Sequence, residues 1–330
     1  MERMVSGLKP TGDLTLGNYI GAIKEFIKYQ DEYEMFIFIA DLHALTTQQD
    51  KLVLRKRIKD FVAYYVACGL DPEKVDIFIQ SEIPQHAELG YILECHTHIG
   101  ELNRMTQFKD KSHKIGTDGL TASLYTYPSL MAGDIIMYDA DHVPVGDDQK
   151  QHLELTKTIA NRFNNRHGET FKVPNALIKK QGARIMDLQK PTSKMSKSDD
   201  SDKGYILLGD DLNRVKNKIK SAITDLDATI KYDKENKPGI SNLLTIYSEL
   251  SDYSIVELEE KYQGCGYGQF KKDLGEVVVN HLEPIQAKYK ELIKSKEIDE
   301  ILDRGYEKAS KLAYKKMRKV KNKLGLGRKR

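Results

Sequence analysis

The sequence contains no tryptophan and only three cysteines among its 330 residues. Cys68, Cys95 and Cys265 are widely spaced and odd in number, which excludes a disulfide framework as the main brace of the fold. The longest purely apolar run, MFIFIA at 35–40, is far below the roughly 20 residues a membrane-spanning helix needs. The opening MERMVSGLKP lacks the charged-then-apolar pattern of a secretory signal, so the expectation is a cytoplasmic protein with no membrane association. Internal repeats and low-complexity segments are missing too. A composition of 40% hydrophobic and 31% charged residues excludes disorder as the general state. The length exceeds what one core usually fills, so two domains are expected.

Net charge is only +3, yet residues 314–330 carry nine Lys or Arg and no acid, which leaves the preceding chain at −6. Such a tail attracts polyanions, and a solvated helix end followed by a frayed terminus accounts for it equally well.

Through the first half, short apolar runs alternate with helical patterns. MVSGL (4–8), MFIFIA (35–40), VDIFIQ (75–80) and VPVG (143–146) read as strands, and the absence of alternation in MFIFIA fits a strand covered on both faces. Between them, Leu16, Ile20, Ile23 and Ile27 follow helical spacing. A helix over about 51–68 carries Leu54, Ile58, Phe61, Val62 and Val66 on one side, and further helices fill roughly 86–107, 126–139 and 147–163. This order predicts an α/β fold on a parallel sheet. After about residue 200 the chain reads as amphipathic helices, among them SIVELEEKY with a Ser254–Glu257 capping box. TIKYD (229–233) is the one strand candidate there.

Two stretches carry the chemistry. PTGDLTLGN (10–18) follows the first strand, where ligands gather in open parallel sheets and helix N-termini favour anions. Gly7, Gly12 and Gly17 allow a nucleotide to approach the backbone, and Thr15 and Asn18 offer neutral hydrogen-bonding groups. A plain strand–turn–helix with Thr15 as N-cap reads the same residues. Neither G-x-G-x-x-G nor G-x-x-x-x-G-K-[ST] occurs. The second stretch, TSKMSKSDD (192–200), sets Lys194 and Lys197 three apart on a flexible loop, which suits a clamp on phosphate or an ordinary exposed loop.

Together, Thr15-Leu16-Gly17-Asn18 and the five residues KMSKS (194–198) resemble the paired signatures of class I aminoacyl-tRNA synthetases. GELNRMTQFKDKS (100–112), TYPSLMAGDI (126–135), VPVGDDQKQH (143–152) and GARIM (182–186) are similar to the tryptophanyl-tRNA synthetase family, and the likeness spans effectively the whole chain. It implies a Rossmann-like catalytic domain over 1–190, a helical anticodon-binding domain over 191–289 beginning with the KMSKS loop, and a C-terminal helix with a basic tail over 290–330 that packs back on the catalytic domain. The implied activity joins L-tryptophan to tRNA(Trp) through an adenylate made from ATP, in a homodimer.

By the same resemblance, ATP would meet Lys9, Pro10, Thr11, Gly17, Asn18, Gly146, Asp147, Asp148, Ile185, Lys194, Met195, Ser196, Lys197 and Ser198. Catalysis would fall to Lys194, Lys197, Ser196, Thr15, Asn18 and Lys109. Tryptophan would meet Asp134, Met131, Tyr127, Ile135, Val143, Val145, Gln149, Gly7 and Val5. An indole N–H is a donor only, so a carboxylate suits it. Asp134 sits in an apolar helix, where an unpaired carboxylate is costly; its alternative is a helix carboxylate facing water. Mg²⁺ would arrive with ATP, held mainly by phosphates.

The sequence departs from that family where Lys9 replaces a common Gln, where Val5 is small, and where Thr15 and Asn18 replace histidines. Tyrosyl-tRNA synthetase is the near rival, but SGLKPTG lacks the D-P-T-x-x-S-L-H-x-G-H run typical of it. A catalytically silent tRNA- or tryptophan-binding regulator is a further alternative, against which the intact KMSKS stands, and so is a nucleotidyltransferase that adenylates a small acid without tRNA, against which the long helical second half stands. CHTH (95–98), read as a helix, brings only Cys95 and His98 to one face, too few for zinc. Three scattered cysteines cannot hold the iron–sulfur cluster that some relatives carry. Basic RVKNKIK (214–220) is a candidate for phosphate contact.

Overall fold

Four of the apolar runs become neighbouring parallel strands because helices cover both their faces. The computed structural model describes residues 1–109, 120–146, 149–178, 184–196 and 201–328. Strands β1 (Arg3–Leu8), β2 (Glu34–Ile39), β3 (Val75–Ile79), β4 (His142–Val145) and β5 (Asn175–Ile178) form one parallel sheet in the order β3-β2-β1-β4-β5. Alternate residues point to opposite sides. Met4, Met35, Ile37, Ile39, Val75 and Ile77 enter one core, while Val5, Phe36, Phe38 and Phe78 enter the other. Each fully buried side chain of this size contributes about 1.5–3 kcal/mol.

The first core is closed by α1 (Leu16–Asn18), the π-helical turn Tyr19–Ile23, α2 (Lys24–Tyr29) and α4 (Lys51–Ala67). Helices from the second half continue it: α9 (Leu212–Lys220), α10 (Pro238–Leu250), α11 (Ile255–Lys261) and α12 (Tyr267–Leu292). The second core packs under α5 (Gln85–Glu94), α7 (Ala122–Ile136) and α8 (Lys150–His167). Short α3 (Asp41–Ala44) follows β2, and short α6 (Ile99–Leu102) follows α5.

The last helix, α13 (Glu297–Leu324), lies along edge strand β3 and joins both cores, through Ile298 and Ile301 at one end and Ala313 and Val320 at the other. It covers a sheet edge that would otherwise invite pairing with other chains. Gly305 makes the approach possible, since a Cβ there would stand 2.0 Å from the Ile77 carbonyl oxygen.

The expected capping box of Ser254 with Glu257 opens α11, and Asp50, not singled out in the sequence, caps α4 by accepting from the Leu52 and Val53 amides. Other local expectations do not hold. TIKYD is not a strand: the Tyr232 amide donates to the Glu259 carboxylate and the Asp233 amide to Ser241 Oγ, so side chains take the bonds a ladder would need. CHTH is not helical either, because Cys95 ends α5 and His98 caps α6. Strand β5 had no sequence signal, being four residues of which three are apolar. No helix among the described residues is long and apolar enough to cross a membrane.

Candidate active site

The strand order reverses between β1 and β4, and ligands of doubly wound sheets bind beyond the strands' carboxyl ends at that switch point. A cavity of about 320 Å³ opens there. It is lined by Val5, Gly7 and Lys9 from β1 and its continuation, Val143 and Val145 from β4, Tyr127, Met131, Asp134 and Ile135 from α7, and Gln149 before α8. Every residue expected around the amino acid therefore shares one cavity. Gly7 is required by crowding, because a Cβ there would come within 2.5 Å of the Phe38 ring.

Asp134 is fully buried at the cavity wall rather than facing water. His43 Nε2 donates to its Oδ2 at 2.8 Å, His86 Nδ1 donates to Oδ1 at 2.6 Å, and Gln80 Nε2 reaches both oxygens at 2.8 and 2.9 Å. Because a carboxylate only accepts, these contacts fix the ring protons on the nitrogens facing it. His86 Nε2 then accepts from the Tyr138 hydroxyl at 2.7 Å. Burial opposes ionisation of Asp134, but the hydrogen bonds it accepts from His43 and His86 outweigh it and lower its pKa to about 2. Burial, reinforced by the Asp134 charge, holds the Tyr138 phenol well above its usual pKa, so it stays a donor.

The sequence reading missed His43, Gln80 and His86. They come from α3, the turn after β3, and α5, and nothing in their spacing from residue 134 points to the meeting. The helix QHAELGYILE also carries Gln85, Glu88 and Glu94, so the burial of His86 shows only in the structure, and no sequence signal singled out His43, Gln80 or His86.

At the cavity mouth Lys9 donates to Thr46 Oγ1 at 3.0 Å, and Thr46 Oγ1 donates to the His43 carbonyl at 2.9 Å. The loop carrying α3 thus supports both the acceptor at the cavity wall and the cation at the entrance. The Tyr127 hydroxyl donates to Gln107 Oε1 at 2.9 Å and accepts from His152 Nε2 at 2.8 Å.

Pro10 and Thr11 follow Lys9 into a turn in which the Thr11 amide donates to the Lys9 carbonyl and Gly12 takes φ +83°. Thr15 and Asn18 cap the first helix reciprocally: the Asn18 amide donates to Thr15 Oγ1 at 3.1 Å, and the Thr15 amide donates to Asn18 Oδ1 at 2.9 Å. The two sequence signatures meet beside this cap. A Cβ on Gly17 would lie 3.5 Å from Met195 and 3.6 Å from Ile185, ordinary contact distances, so the two signatures stand directly against each other there. The Met195 amide donates to the Ile185 carbonyl at 3.0 Å, and Met195 is buried while Lys194 is exposed and Ser196 half-buried.

Gly146 is exposed next to Gln149, whose amide donates to its carbonyl. Lys109 is exposed and does not line the cavity. Asp147, Asp148, Lys197 and Ser198 lie outside the described residues. The basic run 214–220 is less available than its sequence suggests. Lys218 is buried in an ion pair with Asp210 at 2.6 Å, and Lys216 pairs with Glu276. In the basic tail, Lys316 is likewise buried against Asp139. Among the described residues no three His, Cys, Asp or Glu side chains are placed to hold a metal ion.

The family model described as tRNA synthetases class I (W and Y) matches residues 1–283. The tryptophan–tRNA ligase of Bacillus subtilis is 55% identical over 329 residues, covering 100% of this chain and 99% of its own. The crystal structure of tryptophanyl-tRNA synthetase from Mycoplasma pneumoniae superposes with a TM-score of 0.90 at 36% identity, covering 99% of this chain and 98% of that one. That from Campylobacter jejuni, complexed with ADP and tryptophan, does so with a TM-score of 0.85 at 38% identity over 98% of this chain and 100% of that one. With likeness over its whole length and both signatures meeting at the switch point, the chain belongs to the tryptophanyl-tRNA synthetases of class I.

Proposed function

We infer that this chain is a tryptophan–tRNA ligase, and that the cavity at the β1–β4 switch point holds the amino acid while the adjoining Gly17–Met195 corner holds ATP. The observation that carries the reading is the contact between the two signatures beside a cavity that ends on an ionised, buried carboxylate.

A carboxylate oxygen of tryptophan attacks the α-phosphorus of ATP. The bond from that phosphorus to the bridging oxygen breaks, and pyrophosphate leaves with the electron pair. A hydroxyl of the tRNA 3′-terminal ribose then attacks the adenylate's carbonyl carbon and expels AMP. Little covalent chemistry falls to the protein, whose tasks are positioning and charge stabilisation. Asp134, held as an acceptor, takes the indole N–H, with Met131, Ile135, Val143, Val145 and Val5 as apolar walls and Gly7 leaving room. Tyr127 and Gln149 orient the ammonium end. Lys9 stands between amino acid and nucleotide, where negative charge builds on the phosphorus. Pro10, Thr11, Gly17, Asn18, Gly146 and Ile185 shape the nucleotide side, and Thr15 keeps Asn18 in place. Lys194 and Ser196 serve the leaving pyrophosphate together with Lys197 and Ser198. Asp147 and Asp148 are assigned to the ribose side by the family likeness alone, and Lys109 to phosphate.

Mg²⁺ would neutralise the phosphates. The donor set fits an ion held by the nucleotide, since Asp134, the carboxylate that lines the cavity, is already engaged by His43, His86 and Gln80. The wider assignments are a cytoplasmic homodimer, a helical anticodon-binding part over 191–289, and one tRNA spanning both subunits. Tryptophan-dependent exchange of labelled pyrophosphate into ATP tests the reading. Exchange driven by tyrosine instead, or by no amino acid, would overturn it.

A further inference from the structure

We propose that Asn242, on α10 in the helical half, is a positioning residue for the loop that carries Lys194. The proposal rests on the ligase reading above. Asn242 is nearly fully buried, at 4% exposure. Its Oδ1 accepts from the Met186 amide at 2.8 Å, and its Nδ2 donates to the Met186 carbonyl at 2.9 Å. One side chain thereby satisfies both polar groups of one residue's backbone, as a neighbouring strand would.

Met186 is the base of a narrow hairpin. It bridges antiparallel to Lys194, the Asp187 amide donates to the Ser193 carbonyl at 2.9 Å, and the Met195 amide donates to the Ile185 carbonyl at 3.0 Å. The hairpin's turn is set by buried Asp187, whose Oδ1 accepts from the Gln189 and Lys190 amides at 2.7 and 2.8 Å. Both arms reach Gly17 at the start of the first helix, through Ile185 and Met195. A continuous set of bonds and contacts thus runs from α10 through Asn242 and the hairpin to the nucleotide corner. An amide is the fitting side chain, because only Asn or Gln supplies a carbonyl and an N–H₂ on one rigid plane. Gln would push that plane one methylene further into the backbone it clasps.

The consequence is that α10 fixes where the ammonium of Lys194 stands along the reaction path. Misplacement of a catalytic group by about 1 Å can cost about 100-fold in rate without loss of substrate affinity. The cavity for the amino acid shares none of these residues, so its affinity should be indifferent to the clamp.

The test is pyrophosphate exchange with the Asn242→Ala and Asn242→Ser variants of the full chain, alongside titration of tryptophan fluorescence. The expected result is a fall in kcat of about 10- to 100-fold for Asn242→Ala. Asn242→Ser, which keeps a donor-acceptor group, should lose less. The KM and Kd for tryptophan should stay within about twofold of the parent. As a control for general destabilisation, Val279→Ala truncates a buried core residue of α12 that makes none of the hairpin's bonds, and kcat should not change. An Asn242→Ala enzyme with parental kcat, or one losing tryptophan affinity in step with kcat, would overturn the proposal. So would an equal loss in Val279→Ala. Absence of exchange in the parent protein would instead count against the ligase reading itself.

Discussion

Asn in place of Asp134 changes one oxygen for an N–H₂ group with almost no change in volume, so it isolates the role of charge and acceptor. The carboxylate accepts from His43, His86 and Gln80, and its pKa is lowered from 3.8 to about 2. By linkage, a depression of that size contributes about 2.5 kcal/mol to folding. The contribution is fully present above the unfolded-state pKa near 4 and is lost as pH falls through about 2. Asp134→Asn should forfeit most of it at neutral pH, and its stability should be less steeply acid-sensitive than the parent's between pH 4 and 2. The amide also turns a donor towards donors. Loss of a hydrogen bond to a charged partner costs about 1.5–3 kcal/mol, so tryptophan affinity should fall about 10- to 150-fold. ATP affinity should change less than about threefold, because the nucleotide corner is built from other residues. The assay is direct fluorescence titration of tryptophan, which the chain's own lack of that residue makes free of indole background. Undiminished tryptophan affinity, or an equal loss for ATP, would refute the reasoning.

Gly17→Ala adds a methyl at ordinary contact distance from Met195 and Ile185, so the melting temperature should hold while the KM for ATP rises about tenfold, as steady-state exchange kinetics would report. A variant with unchanged KM for ATP would separate this corner from the nucleotide. Gly305→Ala should be severely destabilising, by about 3 kcal/mol or more, since its Cβ would strike the Ile77 carbonyl and lift α13 from the sheet edge. Urea unfolding measures that loss, and a shift of under about 1 kcal/mol would contradict the packing.

Much of this fold is written locally. Strands β1 to β3 need apolar residues on both faces, so MFIFIA declares its buried position without help from its neighbours. The helices of the second half announce their spacing and caps, Ser254 and Glu257 among them. What stayed hidden depends on distant partners. Strand β5 is a strand because β4 lies beside it, and the residues of TIKYD are not because Glu259 and Ser241 satisfy their amides. The single helix expected from Leu16 onward is interrupted by a wider turn over Tyr19–Ile23, which apolar spacing cannot reveal.

The same division runs through the site. Asp134 and the two signatures were legible only through the family likeness, since alone a carboxylate in an apolar helix also reads as one facing water and two lysines as an ordinary exposed loop. His43, Gln80 and His86, which keep Asp134 ionised, were not legible, since each lies at least 48 positions from it and the sheet brings them together. Lys218 shows the converse: an apparently solvated cation that the fold turns inward against Asp210.

The most direct test is a crystal structure of the protein with a non-reactive sulfamoyl analogue of tryptophanyl-adenylate. The account predicts the indole nitrogen within hydrogen-bonding distance of Asp134, the linker beside Lys9, and the adenosine against Gly17 and Ile185. An adenosine bound away from that corner, or an indole ring outside the cavity, would contradict it.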